Sequence, residues 1–175
     1  MSDLLEQSPL LSGKPTVMGI GNAGVHAIGT LAAMPGSGYL TLYAIDTDLR
    51  ALDACPLAKE RKILVDPQWR NGAGTGGNVT NAQRSMSRER VRLEALVGEA
   101  SWLIVLCGLG GGTGTAGAQA LAGIARRLKV PTVFMLTFPF SLEGHGKRRI
   151  ADDAIKDLLP IVDVLIPTYN EDEYI

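Results

Sequence analysis

Aromatic residues make up 5% of this 175-residue chain, and cysteine and histidine number two each. Cys55, Cys107, His26 and His145 are too few and too scattered for a zinc framework. No Ser/His/Asp or Cys/His catalytic arrangement is legible either. Cys107 ends an apolar, strand-like run, so the two cysteines read as reduced thiols of a cytoplasmic protein rather than as a disulfide. Charge of one sign is not in excess: 17 lysines and arginines face 18 acids. That balance leaves no electrostatic footprint for direct nucleic-acid or anionic-membrane binding. No apolar run approaches the ~18 residues of a membrane span. Met1-Ser2-Asp3-Leu4-Leu5-Glu6-Gln7 lacks the basic region of a secretory signal. There is no internal repeat.

Glycine is abundant, at 21 residues, and it clusters in loops. The chain between these loops alternates apolar β-rich runs with helical periodicity. Strands are predicted over Pro15–Ile20, Tyr39–Ile45, Lys62–Val65, Trp102–Leu106, Thr132–Thr137 and Val162–Ile166. Most are apolar throughout, as in a parallel sheet covered on both faces. Ala118, Leu121, Ala122, Ala125 and Leu128 mark one helical stripe. Ile150, Ala151, Ala154, Ile155, Leu158 and Leu159 mark another, and Met86, Leu93, Leu96 and Val97 a third. The series predicts an α/β fold, a doubly wound, mostly parallel, Rossmann-like sheet with helices on both faces. Ligands of such sheets bind at the carboxyl ends of the strands. Residues 1–14 carry little pattern and are expected to be a mobile arm.

Three glycine-rich loops follow strand candidates. Gly19-Ile20-Gly21-Asn22-Ala23-Gly24 fits the dinucleotide fingerprint, with Asp46 and Asp48 about twenty residues further on. Asn71-Gly72-Ala73-Gly74-Thr75-Gly76-Gly77-Asn78 is the second loop. The richest is Cys107-Gly108-Leu109-Gly110-Gly111-Gly112-Thr113-Gly114-Thr115-Ala116-Gly117. Glycine lets a backbone approach a ligand closely, and the free N–H groups of a helix's first turn suit an anion. Three such loops point to a phosphate chain held from several sides. A nicotinamide-dependent oxidoreductase uses the first loop and Asp46 but leaves the other two unexplained. Gly13-Lys14-Pro15 is not a P-loop, since it precedes the first strand and lacks the Ser or Thr. Glu143 and Lys147, after the fifth strand, suit ribose hydroxyls and phosphate oxygens, or a helix start with solvated charges. The Asn170 amide suits a purine edge, or a simple turn. Arg84, Arg88, Arg90 and Arg92 read as a solvated helix face.

With these motifs the chain resembles the tubulin/FtsZ superfamily, in its FtsZ-like branch, from about Pro15 to Asn170. Gly108–Thr115 is similar to the family's G-G-G-T-G-T-G, and Pro139-Phe140-Ser141-Leu142-Glu143-Gly144 to its P-F-x-x-E-G. Asp46-Thr47-Asp48 resembles N-T-D, and Gly74-Thr75-Gly76-Gly77-Asn78 resembles G-A-G-G-N. The resemblance implies a GTP or GDP site with Mg²⁺ carried by the nucleotide. Gly21 and Asn22 would lie near the α- and β-phosphates, Asp46 and Asp48 near the nucleotide or its Mg²⁺, and Thr75 and Gly76 near the γ-phosphate. Gly110, Gly111, Gly112, Thr113, Gly114 and Thr115 would cradle the phosphates. Glu143 would meet the ribose, Lys147 would replace a usual arginine, and Asn170 would meet the guanine.

Asp46 in place of the usual asparagine, a changed order at Ala116-Gly117 and a sparser first loop mark a divergent member. The resemblance implies a GTP-binding domain over 15–175 of a cytoskeletal, cell-division type of filament GTPase. Against the resemblance, residues up to Ile175 lack the family's central helix and second domain, as expected of either a truncation or a natural short form. Catalytic residues are therefore expected on that segment or on a neighbouring subunit, with self-association or an FtsZ-like partner implied. A non-catalytic assembly module without nucleotide affinity is a further alternative.

Overall fold

The computed structural model describes residues 14–170, so the expected arm lies outside the described residues except for Lys14. Lys14 is tied at both ends: its Nζ donates to the Gly38 carbonyl at 3.2 Å, and its carbonyl accepts from Ser101 Oγ at 3.1 Å.

Six strands form one parallel sheet: β1 (Thr16–Ile20), β2 (Thr41–Asp46), β3 (Lys62–Leu64), β4 (Leu103–Gly108), β5 (Thr132–Phe138) and β6 (Val164–Tyr169), in the spatial order β3-β2-β1-β4-β5-β6. Every pairing is parallel. β1 lies between β2 and β4 and is buried along its whole length, which is why its sequence does not alternate. The order reverses between β1 and β4, the topological switch point where a doubly wound sheet opens a crevice.

Helices α1 (Gly21–Ala32) and α2 (Leu49–Ala54) cover one face around Val17, Val25, Ile28, Ala44 and Leu52. Helices α3 (Val79–Arg88), α4 (Arg90–Gly98), α5 (Gly112–Leu128) and α6 (His145–Leu158) cover the other, around Met18, Ile45, Leu103, Leu121 and Phe134. The third apolar stripe is two helices, divided at Glu89, whose φ of −91° and ψ of 6° leave the helical region. α5 ends where Lys129 turns left-handed at φ 57°.

Strand ends differ from the sequence expectation by a few residues. Tyr39 belongs to a 3₁₀ turn over Ser37–Tyr39, β4 continues through Cys107 and Gly108, and β6 begins at Val164. Thr132 explains the late start: its N–H and hydroxyl both donate to Asp163 Oδ2, at 2.8 and 3.0 Å, which holds Asp163 before the strand. Pro167 sits within β6, which an edge strand tolerates because only one side carries a ladder. The face of β5 and β6 that α1 and α2 do not reach leaves Met135, Val164 and Ile166 exposed.

Candidate functional site

The loops at the carboxyl ends of the strands enclose a cleft of about 850 Å³. Its walls come from the start of α1, the Asp46–Asp48 turn, the loop after β3, the start of α5, the β5–α6 loop and Asn170 after β6.

Close packing explains the glycines behind the cleft. A Cβ on Gly19 would lie 2.1 Å from the Gly24 carbonyl, and one on Gly24 would lie 2.2 Å from that of Leu106. Those two glycines let α1 press against β1 and β4. Gly21 has φ +69°, and a Cβ there would meet the Gly114 N at 2.8 Å, so the starts of α1 and α5 touch through backbone alone. A Cβ on Gly112 would lie 2.6 Å from Thr75 Oγ1 and 3.0 Å from the Asn78 carbonyl, which seats the loop after β3 against the start of α5. Gly111 differs, since nothing lies within 4 Å of its would-be Cβ.

The helix starts around the cleft differ in their caps. α2 is capped by Asp48, which accepts from the Arg50 N–H at 3.0 Å, and α3 by Asn78, which accepts from the Asn81 N–H at 2.9 Å. α1, α5 and α6 have no side-chain cap and no acid in the first turn. All three contribute first-turn residues to the cleft: Asn22, Thr113 and Lys147 among them. The first N–H groups of a helix lack intrahelical acceptors, and the helix dipole makes that end positive. The donor set therefore suits a polyanion.

The side chains add mixed charge. Asp46, 3% exposed, accepts from the Thr47 and Asp48 N–H groups at 2.7 and 3.2 Å. Burial pushes its carboxyl above the ordinary range, and the two N–H groups pull it partly back, while the Asp48 charge adds to the rise. Asp48 is held below the ordinary range by the Arg50 guanidinium, at 2.9 Å. Glu143 is likewise lowered, first by Lys147, whose Nζ donates at 2.7 Å, and then by the Phe140 N–H at 2.9 Å. Thr47 and Thr113 share a buried hydroxyl hydrogen bond of 2.7 Å that ties the second strand's loop to α5. Burial pushes the Cys107 thiol up to about 12, so it is no nucleophile at neutral pH.

Of the residues expected at the site, Gly21, Asn22, Asp46, Asp48, Thr75, Gly76, Gly111, Gly112, Thr113, Gly114, Glu143, Lys147 and Asn170 all line this one cleft. Gly110 and Thr115 do not. They stand behind it, where the Gly110 N–H donates to Thr115 Oγ1 at 3.1 Å. Gly110 has φ +88° and a would-be Cβ 2.8 Å from the Lys147 carbonyl. That pair shapes the turn instead of facing the cavity. Thr47 and Arg50 line the cleft without having been singled out; the flanking acids Asp46 and Asp48 were the available signal. Asn170 follows a stack in which Phe138 and Tyr169 lie 4.7 Å apart at 17°, with the Arg148 guanidinium over both rings. His26 is exposed on α1. Arg88 is not simply solvated: it pairs at 2.7 Å with Asp66, a carboxylate buried beside Ser85.

Among the described residues no cluster of three or more His, Cys, Asp or Glu side chains could hold a metal ion. Three carboxylates line the cleft, and two of them, Asp46 and Asp48, sit together on one turn. They fit a hard divalent cation whose remaining oxygens come from phosphates and water.

A doubly wound α/β domain with glycine loops around a cleft at its switch point defines the class. The sequence model of the Tubulin/FtsZ family, GTPase domain, matches residues 15–174, and the chain belongs to that family. It is 31% identical over 169 residues to cell division protein FtsZ 1 of Methanocaldococcus jannaschii, covering 97% of this chain and 46% of that protein. It is 32% identical over 155 residues to cell division protein FtsZ of Pseudomonas aeruginosa, covering 89% and 39%. The structure of an empty M. jannaschii FtsZ dimer superposes with a TM-score of 0.82 at 29% identity, covering 97% of this chain and 48% of that one. The chain thus spans less than half the length of these relatives. Among the described residues no helix is long and apolar enough to cross a membrane.

Proposed function

We propose that the cleft binds GTP and GDP with Mg²⁺, as the nucleotide half of an FtsZ-like filament protein. The observation that carries this reading is the convergence of three uncapped helix starts, α1, α5 and α6, on one cavity within a member of this family. Their first-turn N–H groups hold the phosphates, with the Thr113 hydroxyl beside them. Glu143 accepts from the ribose hydroxyls and Asn170 pairs with the purine edge. A divalent cation supplies charge neutralisation to the phosphates, and Asp46 and Asp48 are the carboxylates placed to meet it. The FtsZ dimer among the structural relatives supports self-association as the partner relationship. Head-to-tail contacts of that kind generate open filaments.

Thermal melts with GTP, GDP, ATP and NAD test the reading. A ligand at 100 times its dissociation constant adds about 2.7 kcal/mol to the folded state. The expected result is a shift with the guanine nucleotides and none with NAD. A shift with NAD alone would assign the cleft to a nicotinamide cofactor, and no shift with any would leave an assembly module without nucleotide affinity.

A further inference from the structure

Arg70 stands apart from the other cations around the cleft. The two that line it, Arg50 and Lys147, are each committed to a carboxylate, Asp48 and Glu143 respectively. Arg70 forms no ion pair or side-chain hydrogen bond among the described residues. Its backbone is left-handed at φ 46°, followed by Asn71 at φ 53°, and the Ala73 N–H closes the turn onto its carbonyl at 3.1 Å. That turn brings a guanidinium nitrogen to 3.6 Å from the would-be Cβ of Gly76, so an unpaired cation stands beside Gly76, which with Thr75 lines the cleft, although Arg70 itself does not line it.

With the ribose at Glu143 and the base at Asn170, as proposed above, the sheet order sets which end of a nucleotide lies toward Gly76. Glu143 and Asn170 follow β5 and β6, at one edge of the sheet, while Arg70 and Gly76 follow β3, at the other. A nucleotide with its base and ribose at the β5–β6 end extends its phosphates past the start of α5 toward the loop after β3. The last phosphate of a triphosphate comes closest to that loop, and a diphosphate stops short of it. We propose that Arg70 is the residue by which this cleft distinguishes a nucleoside triphosphate from a diphosphate, its free guanidinium pairing with the terminal phosphate. A planar guanidinium donates two parallel N–H groups to phosphate oxygens. This inference rests on the guanine-nucleotide reading of the cleft.

The test is equilibrium binding of GDP and of the slowly hydrolysed analogue GTPγS, with Mg²⁺, to the full chain and to Arg70→Gln and Arg70→Lys. Both variants keep a side chain of similar length at the left-handed position, and their melting curves report the fold. Arg70→Gln should lose about tenfold in GTPγS affinity and less than about twofold in GDP affinity. Arg70→Lys, which keeps the charge but not the two parallel N–H groups, should fall between the parent and Arg70→Gln, and the contrast should shrink as salt rises. Equal losses for the two nucleotides, or no loss in Arg70→Gln, would overturn the role of Arg70 while leaving the nucleotide site in place. Failure of the unaltered chain to bind either nucleotide would instead overturn the reading of the cleft and this inference with it.

Discussion

Asp46 shows how one residue sets the electrostatics of the cleft. Its Oδ1 accepts both the Thr47 and the Asp48 N–H groups, so an asparagine of the same shape could keep both bonds. Only the charge would go, and with it the repulsion from Asp48. An acid whose folded value lies above its unfolded value is destabilising when ionised. That burden is present above the folded value and disappears as the pH falls below the unfolded one. Asp46→Asn should therefore be more stable than the parent at pH 7, by on the order of 1 kcal/mol. The gap should close as the pH falls through about 4. Urea unfolding at the two pH values measures it, and a variant less stable at pH 7 would contradict the account. Asp48 and Glu143 act oppositely. Their carboxyls are lowered, so they support the fold above the ordinary carboxylate range and lose that contribution as the pH drops through their folded values.

At the scale of elements, the glycines of the cleft do two kinds of work. Gly24→Ala drives a methyl into the Leu106 carbonyl, where α1 crosses β4. Overpacking against backbone costs about 3 kcal/mol, which lowers the melting temperature of a chain this size by about 6–12 °C. Gly111 has extended φ and ψ of −93° and 177° with open space around it. Gly111→Ala should melt within about 2 °C of the parent and weaken GTPγS binding about tenfold, by loss of close backbone approach. Calorimetry and equilibrium binding on both variants check the division. Unchanged binding in Gly111→Ala would relieve that turn of a phosphate role.

The same contrast explains what the sequence made legible. Apolar runs located all six strands, and the glycine clusters after them located the cleft, because both patterns are local. Which glycines face the cavity depends on how α1 and α5 pack, so Gly110 and Thr115 were not separable from their neighbours. Arg70 was invisible for a similar reason. Nothing in Trp69-Arg70-Asn71 announces two consecutive left-handed residues, and the fold alone brings that turn to Gly76. The division of the third apolar stripe into α3 and α4 escaped notice because Ser87-Arg88-Glu89-Arg90 contains no glycine or proline to mark a break.

At the scale of the whole molecule, binding and turnover separate. Hydrolysis of a phosphoanhydride needs an oriented water as well as clamped phosphates. The carboxylates lining the cleft are all engaged within the chain: Asp46 with two backbone N–H groups, Asp48 with Arg50 and the start of α2, and Glu143 with Lys147 and the Phe140 N–H. His145 is exposed at the start of α6 and does not line the cavity. Among the described residues none is both free and placed to draw a proton from water. We therefore expect this chain, incubated alone with GTP and Mg²⁺, to show a nucleotide-dependent melting shift without sustained phosphate release. Phosphate assays across a range of chain concentrations check this. Brisk release that is first order in chain would show that the cleft holds its own water-activating group. Release whose specific rate climbs with concentration would place that group on a second copy of this chain. A melting shift with no release at any concentration is the outcome these engaged carboxylates lead us to expect, because a cleft built from helix starts and glycine loops can hold a triphosphate without supplying the base that cleaves it.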